Sequence, residues 1–156
     1  WRLDPARGGG ALYDLGCYGV NLARTFTQSE PKEIVARARY FRPGVDMTLG
    51  MLLRFPGDVT ALVDCSFECP PRNRFEIVGT QGSIEFPDGV LPPDEASLVV
   101  RTAGGVETIR FPAADQYAEM LDCFARSVAA GRLEPPAEDG LANMRVVEAV
   151  RNAARD

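Results

Sequence analysis

The spacing of apolar residues changes character twice along this chain. Over 11–27 (ALYDLGCYGVNLARTFT) the positions Leu12, Leu15, Gly19, Leu22 and Phe26 advance by three or four, which predicts one apolar face of a helix. Pro31 ends that pattern. From residue 33 the period becomes two. Ile34, Ala36, Ala38 and Tyr40 fall on one side of a strand over 33–42, with Arg37, Arg39 and Phe41 on the other. Runs at 46–55 and 59–67 flank the turn residues PGD at 56–58. Runs at 75–79 and 83–86 flank TQG, and runs at 97–102 and 106–111 flank AGG. Short runs paired around a turn predict antiparallel hairpins. The Pro-rich stretch 87–95 predicts a surface loop. After Pro112 the helical spacing returns. Tyr117, Met120, Leu121, Phe124 and Val128 form the stripe of a packed helix over 114–130. Leu141, Met144, Val147 and Val150 do the same over 141–154, with Asp139 as a candidate N-cap.

One helix, about seven strands and then two helices make an α+β chain, because the strands are segregated from the helices. The expected architecture is an open, mainly antiparallel sheet of about six to eight strands with helices packed on one face. Strands 33–42 and 59–67 carry apolar residues on both sides, so the second face is expected to meet a partner. The 156 residues read as a single domain, 1–156. They start at Trp1 rather than Met, which reads as a piece of a longer protein.

Composition narrows the chemistry. Acidic residues number 22 against 17 basic ones, a net charge of -5, which argues against nucleic acid and anionic membranes as partners. No apolar run approaches the ~20 residues of a membrane-spanning helix. Without a secretory signal, the expected location is cytoplasmic. There is no histidine, so a Ser-His-Asp triad, a Cys-His pair and an imidazole zinc site are excluded. A general acid or base must be Asp, Glu, Tyr, Cys or Lys32. Cys17, Cys65, Cys69 and Cys123 are expected as free thiols, and no metal site is expected.

Gly8, Gly9 and Gly10 precede the first helix without a strand leading in, and no G-x-G-x-x-G or Walker motif is present. Two readings of these glycines stay open: a tight backbone turn, or close approach to a ligand. The first helix also carries Asp14, Tyr18, Asn21 and Thr25 at steps of four, three and four, a polar stripe on one face. A carboxylate one turn before a phenol can orient it or accept its proton, and an asparagine can hold a substrate hydroxyl. The plain alternative is a solvated helix face. Glu30, Glu33, Asp88, Asp94 and Glu95 lie in turns with no inferable partner and read as solubilising charges.

The block WR-x-D-P-x-x-GGGALYDLGCYGVNLAR, with EP at 30–31, GVD at 44–46, FPGD at 55–58, DCSF at 64–67, IVGTQGSIEF at 77–86 and LANMRVVEAV at 141–150, resembles the C-terminal domain of the glucose–fructose oxidoreductase / inositol dehydrogenase (Gfo/Idh/MocA) family. The resemblance covers essentially the whole chain. It implies a substrate and oligomerisation domain that follows an NAD(P)-binding Rossmann domain, with the active site between the two. The Rossmann half and its Glu-Lys-Pro lysine are missing from this chain. The resemblance implies that Asp14 and Tyr18 are the acidic residue and the proton-handling residue. Tyr in place of His is similar to the dihydrodiol and NADP-xylose dehydrogenase branch. Trp1 and Arg2 match a pair near the nicotinamide, Asn21 a position that can face substrate. The implied cofactor of the full-length protein is NAD or NADP, with none bound to this fragment and the fragment alone inactive. The implied partners are a sugar or polyol substrate and a second copy docked through the sheet. A non-catalytic dimerisation or ligand-binding module with the same fold is the rival reading.

Overall fold

A computed structural model describes residues 1–89 and 95–154; most of the expected 87–95 loop, including Asp94, therefore lies outside the described residues. In chain order the elements are a π-turn at Leu12–Gly16, α1 (Cys17–Thr27), β1 (Glu33–Arg42), β2 (Val45–Arg54), β3 (Thr60–Ser66), β4 (Phe75–Gly79), β5 (Gly82–Phe86), β6 (Ala96–Thr102), β7 (Gly105–Phe111), α2 (Gln116–Ala130) and α3 (Ala137–Ala153). This is the α+β order that the hydrophobic pattern predicts. All described strand pairs are antiparallel. They form two ladders, β1-β2-β3 and β4-β5-β6-β7. The chain groups into two compact units, Trp1–Cys69 with the segment from Leu133 onward, and Pro70–Arg132.

In the first unit the even residues of β1 pair with the odd residues of β2: Ile34 with Leu53, Ala36 with Met51, Ala38 with Leu49. That register puts one apolar face inward, where α1 and α3 cover it. Leu12, Val20, Leu49, Leu53, Val147 and Val150 are fully buried there. The helix face that is buried differs from the one expected. Leu15 and Phe26 are exposed, and the buried side runs Leu12, Gly16, Val20, Arg24. The π-turn is the reason: it takes more residues per turn than an α-helix and shifts the phase of everything after it. Gly19 then lies against β3, where an added Cβ would come within 2.4 Å of the Val63 Cγ1.

Arg24 brings a guanidinium into this buried side. Glu30 receives it at 2.8–3.0 Å and Asp139 at 3.0 Å. Glu30 is thus a structural ion-pair partner rather than a surface charge, and Glu33 likewise pairs with Arg54. Asp139 is not the N-cap of α3; Pro136 holds that position, and Asp139 sits in the first turn, where it meets Arg24. α3 is also tied to the π-turn by a hydrogen bond from the Tyr13 hydroxyl to the Glu148 carboxylate. The opposite face of β1–β3 is open. Val35, Leu52 and Leu62 line up across the three strands, and Leu62 is 78% exposed.

In the second unit Phe75 and Phe86 stack at 4.1 Å across the β4–β5 pair. Asp115 caps α2 by accepting from the amides of Tyr117 and Ala118. The apolar stripe of α2 is exposed rather than packed: Tyr117, Met120, Leu121, Phe124 and Val128 are all more than half accessible. Periodicity identifies the face that calls for cover, not what covers it.

Two outcomes follow from the first unit. Leu53→Ala removes a fully buried side chain and should cost about 2–5 kcal/mol in urea unfolding. Burial and the Glu148 carboxylate push the Tyr13 phenol up to about 12. Of the four tyrosines, one should therefore ionise late in an alkaline absorbance titration, and Tyr13→Phe should delete that phase. The folded state holds this proton more tightly than the unfolded chain. Stability should thus fall as pH rises from the free-phenol range of ~10 toward that value, and less steeply in Tyr13→Phe.

Candidate active site

The site is assembled around the start of the first helix. β1 and β2 pair Arg39 with Thr48 but Tyr40 with Asp46, leaving Met47 as an extra residue in β2. Such a bulge reverses which way the following side chain faces. A second register shift follows between Tyr40 and Arg42, and at this irregular end of the hairpin Val45 and Asp46 are both buried, although they are neighbours in a strand. The Asp46 carboxylate is turned onto the helix start, where its Oδ2 accepts the Leu12 amide at 2.7 Å. The helix has no side-chain cap of its own, so Asp46 supplies the acceptor from 34 positions away. Burial raises its carboxyl pKa, while the Leu12 amide, its own amide and that of Ala11 oppose that shift.

This contact decides between the two readings of the glycines. A Cβ on Gly10, at φ +122°, would lie 2.1 Å from Asp46 Oδ1, and a Cβ on Gly9 would lie 2.7–2.8 Å from backbone atoms of Arg2 and Asp4. They are glycines because the protein's own atoms approach them. The anion at this helix N-terminus is Asp46.

The opening residues fold back along the π-turn. Gly9 and Gly10 donate to the carbonyls of Asp4 and Arg2, both at 2.9 Å, and Arg42 donates to the carbonyl of Leu3. Arg2 is thereby carried to Asp14, whose Oδ2 accepts Arg2 Nε at 2.7 Å. The Arg2 guanidinium also stacks over the Trp1 ring at 4.8 Å. The structure therefore joins Trp1, Arg2 and Asp14 in one continuous cluster. Asp14 lies inside the π-turn, with its side chain 14% exposed. Tyr18 and Asn21 follow on α1. Tyr18 is 59% exposed, and among the described residues nothing pairs with its hydroxyl. Asn21 is half-buried and Thr25 exposed. Behind this helix, Asn143 Nδ2 donates to the Cys17 carbonyl at 3.2 Å.

The arrangement offers an aromatic plane at Trp1, a cation held in place by a carboxylate, and a phenol that faces outward one turn later. The thiols offer less. All four are free. Burial pushes the Cys65 thiol up to about 12, so it is protonated and a poor nucleophile near neutral pH. Among the described residues no group of Cys, Asp and Glu could hold a metal ion, and no helix is long and apolar enough to cross a membrane. Sequence reasoning singled out Asp14, Tyr18 and Asn21 as candidates by their spacing. It missed the roles of Asp46, Tyr13 and Glu148, whose partners are 34 and 135 positions away.

The chain also matches known proteins in sequence and in fold. Residues 1–85 match the family described as the GFO/IDH/MocA C-terminal domain. D-xylose 1-dehydrogenase (NADP(+)) 2 of Haloferax volcanii is 33% identical over 98% of this chain and 48% of its own length. The aldose-aldose oxidoreductase of Caulobacter crescentus, solved with glycerol, superposes with a TM-score of 0.88 at 29% identity, over 99% of this chain and 48% of that one. The 3-ketoreductase KijD10 of Actinomadura kijaniata, solved with NADP and TDP-benzene, superposes at 0.86 with 31% identity, over 96% of this chain and 47% of that one. The chain spans about half the length of the relatives it matches. A single ancestry accounts for the sequence match over more than half the chain and for the shared fold over nearly all of it: the chain belongs to the GFO/IDH/MocA C-terminal domain family.

Proposed function

We propose that this chain is the substrate and oligomerisation domain of an NAD(P)-dependent oxidoreductase acting on the CH–OH group of a sugar-like substrate. The observation that carries the reading is the Arg2–Asp14 bridge, which holds Trp1, Arg2 and Asp14 together beside an outward-facing Tyr18. The relatives' names support the reaction class, one being a D-xylose dehydrogenase that uses NADP(+).

The chain's residues fit one edge of a dinucleotide and no more. Trp1 presents an accessible ring, with Arg2 beside it, and these two would border the nicotinamide. The phosphates find no cradle here, since Asp46 already fills the glycine-flanked helix start. Their binding is assigned to an upstream Rossmann half. The cofactor, when bound, supplies hydride transfer. Tyr18 holds or moves the hydroxyl proton of the substrate. Asp14, fixed by Arg2, orients the approaching hydroxyl, and Asn21 offers a donor and an acceptor to a neighbouring one.

The open face of β1–β3 is assigned to a second copy of the chain. Its apolar row of Val35, Leu52 and Leu62 lies next to Arg37 and Asp64, which share a row across Gly50. Opposite charges on one patch suit a two-fold contact, in which each copy meets the other's opposite sign.

In the full-length protein, assayed on a panel of aldoses and polyols with NADH and NADPH, Tyr18→Phe should lower kcat by about 10²–10⁴ and leave cofactor affinity nearly unchanged. Wild-type turnover in that variant would remove Tyr18 from the mechanism. An upstream reading frame without G-x-G-x-x-G and Glu-Lys-Pro would favour the non-catalytic module. Leu62→Arg should convert a dimer into the 17.0 kDa unit in light scattering; an unchanged mass would reject the sheet face as the interface.

A further inference from the structure

A cavity of about 530 Å³ opens between the β1–β2 hairpin end, the π-turn and the last turns of α3. Its size lies within the ~300–1,000 Å³ of small-molecule sites. Trp1, Arg2, Asp14, Tyr18 and Asn21 do not line it; Tyr13, Tyr40, Arg42, Asp46 and Arg151 do. The bulge builds it by setting Tyr40 opposite Asp46.

The hydrogen-bonding capacity of this lining is one-sided. The Tyr13 hydroxyl donates to Glu148 and the Tyr40 hydroxyl to the Ala154 carbonyl, so both phenol protons are engaged and the rings serve as walls. The Asp46 carboxylate is engaged by the helix amides. Arg151 is held by Glu148, through Nε at 3.0 Å and Nη2 at 2.9 Å. Arg42 differs: its one hydrogen bond goes to the neutral Leu3 carbonyl, and among the described residues no carboxylate pairs with it. The cavity thus presents two guanidinium groups, of which Arg42 is joined to no carboxylate among the described residues and lies 5.6 Å over the Phe41 ring, while the Asp46 carboxylate on the same wall is turned to the helix amides. What complements it is a planar, negatively charged acceptor on a body that fits between two phenol rings.

We propose that this cavity is a second ligand site, separate from the Tyr18 face, that binds a small organic carboxylate through Arg42 with Arg151 at its side. The carboxylate oxygens accept from the Arg42 fork, and the rest of the molecule packs on Tyr13 and Tyr40. A bare inorganic anion would engage the fork and leave the rings unused.

The test is an amide-resolved NMR titration of the 156-residue chain with benzoate, gluconate and inorganic phosphate in parallel at low ionic strength. Support is saturable binding of one of the carboxylates below about 20 mM, with shifts centred on Gly44, Tyr13 and Arg151, weakened about tenfold or more by Arg42→Gln. Arg110→Gln, an exposed cation on β7, should leave that affinity unchanged. The proposal is overturned if no carboxylate saturates, if phosphate binds more tightly than both carboxylates, or if Arg42→Gln and Arg110→Gln weaken binding equally. Should Arg42→Gln fail to fold, Arg42→Lys decides. It keeps the charge and loses the fork, so about tenfold weaker binding supports the proposal and unchanged affinity rejects it.

Discussion

A buried carboxylate held against the first amides of a helix is the constraint on which the first unit depends. Asp46 is removed from water by the fold, and an isolated charge there would be costly. Its compensation is the Leu12 amide, one of a set of backbone donors that the helix cannot satisfy internally. Each side resolves the other's problem, provided both arrive together. The strand must be bulged at Met47 to aim the carboxylate, and the loop must pass close enough that only glycine fits at Gly10. The GVD and GGG segments are thus two halves of one contact.

From that contact the rest of the unit takes its position. The helix start is fixed against β2, α1 then crosses β3 with Gly19 at Val63, and α3 closes over both through Tyr13–Glu148 and Arg24–Asp139. The opening loop is fastened to the same hairpin by Arg42 and delivers Arg2 to Asp14. The groups proposed for catalysis therefore stand on rigid elements, while the side chains that hold those elements face the other way. Tyr18, exposed on α1, takes no part in the contacts that hold those elements.

Much of the fold was legible because its signals are local. Hairpin strands declare themselves through alternation and turn residues a few positions apart, and each of the strands described here falls within a few residues of its expected span. The stripe of Asp14, Tyr18 and Asn21 was legible for the same reason. What escaped reading was non-local or broke a period. The bulge at Met47 turns Asp46 inward against the parity of its strand. The π-turn moves the buried face from Leu15 and Phe26 to Gly16, Val20 and Arg24. Glu30 looked like a loop charge until Arg24 was found buried beside it. No pattern within one segment encodes a partner 115 positions away, as Asp139 is to Arg24.

The π-turn has an evolutionary corollary. An α-helix advances each side chain by about 100° around its axis. Removing one residue between Leu12 and Gly16 would restore α-helical winding, and four residues would then turn about as far as these five do now. Gly19 would keep its place against Val63, and Tyr18 its side of the helix. A change in length here is absorbed within the turn. What it alters is the set of side chains the turn presents, Tyr13 and Asp14 among them.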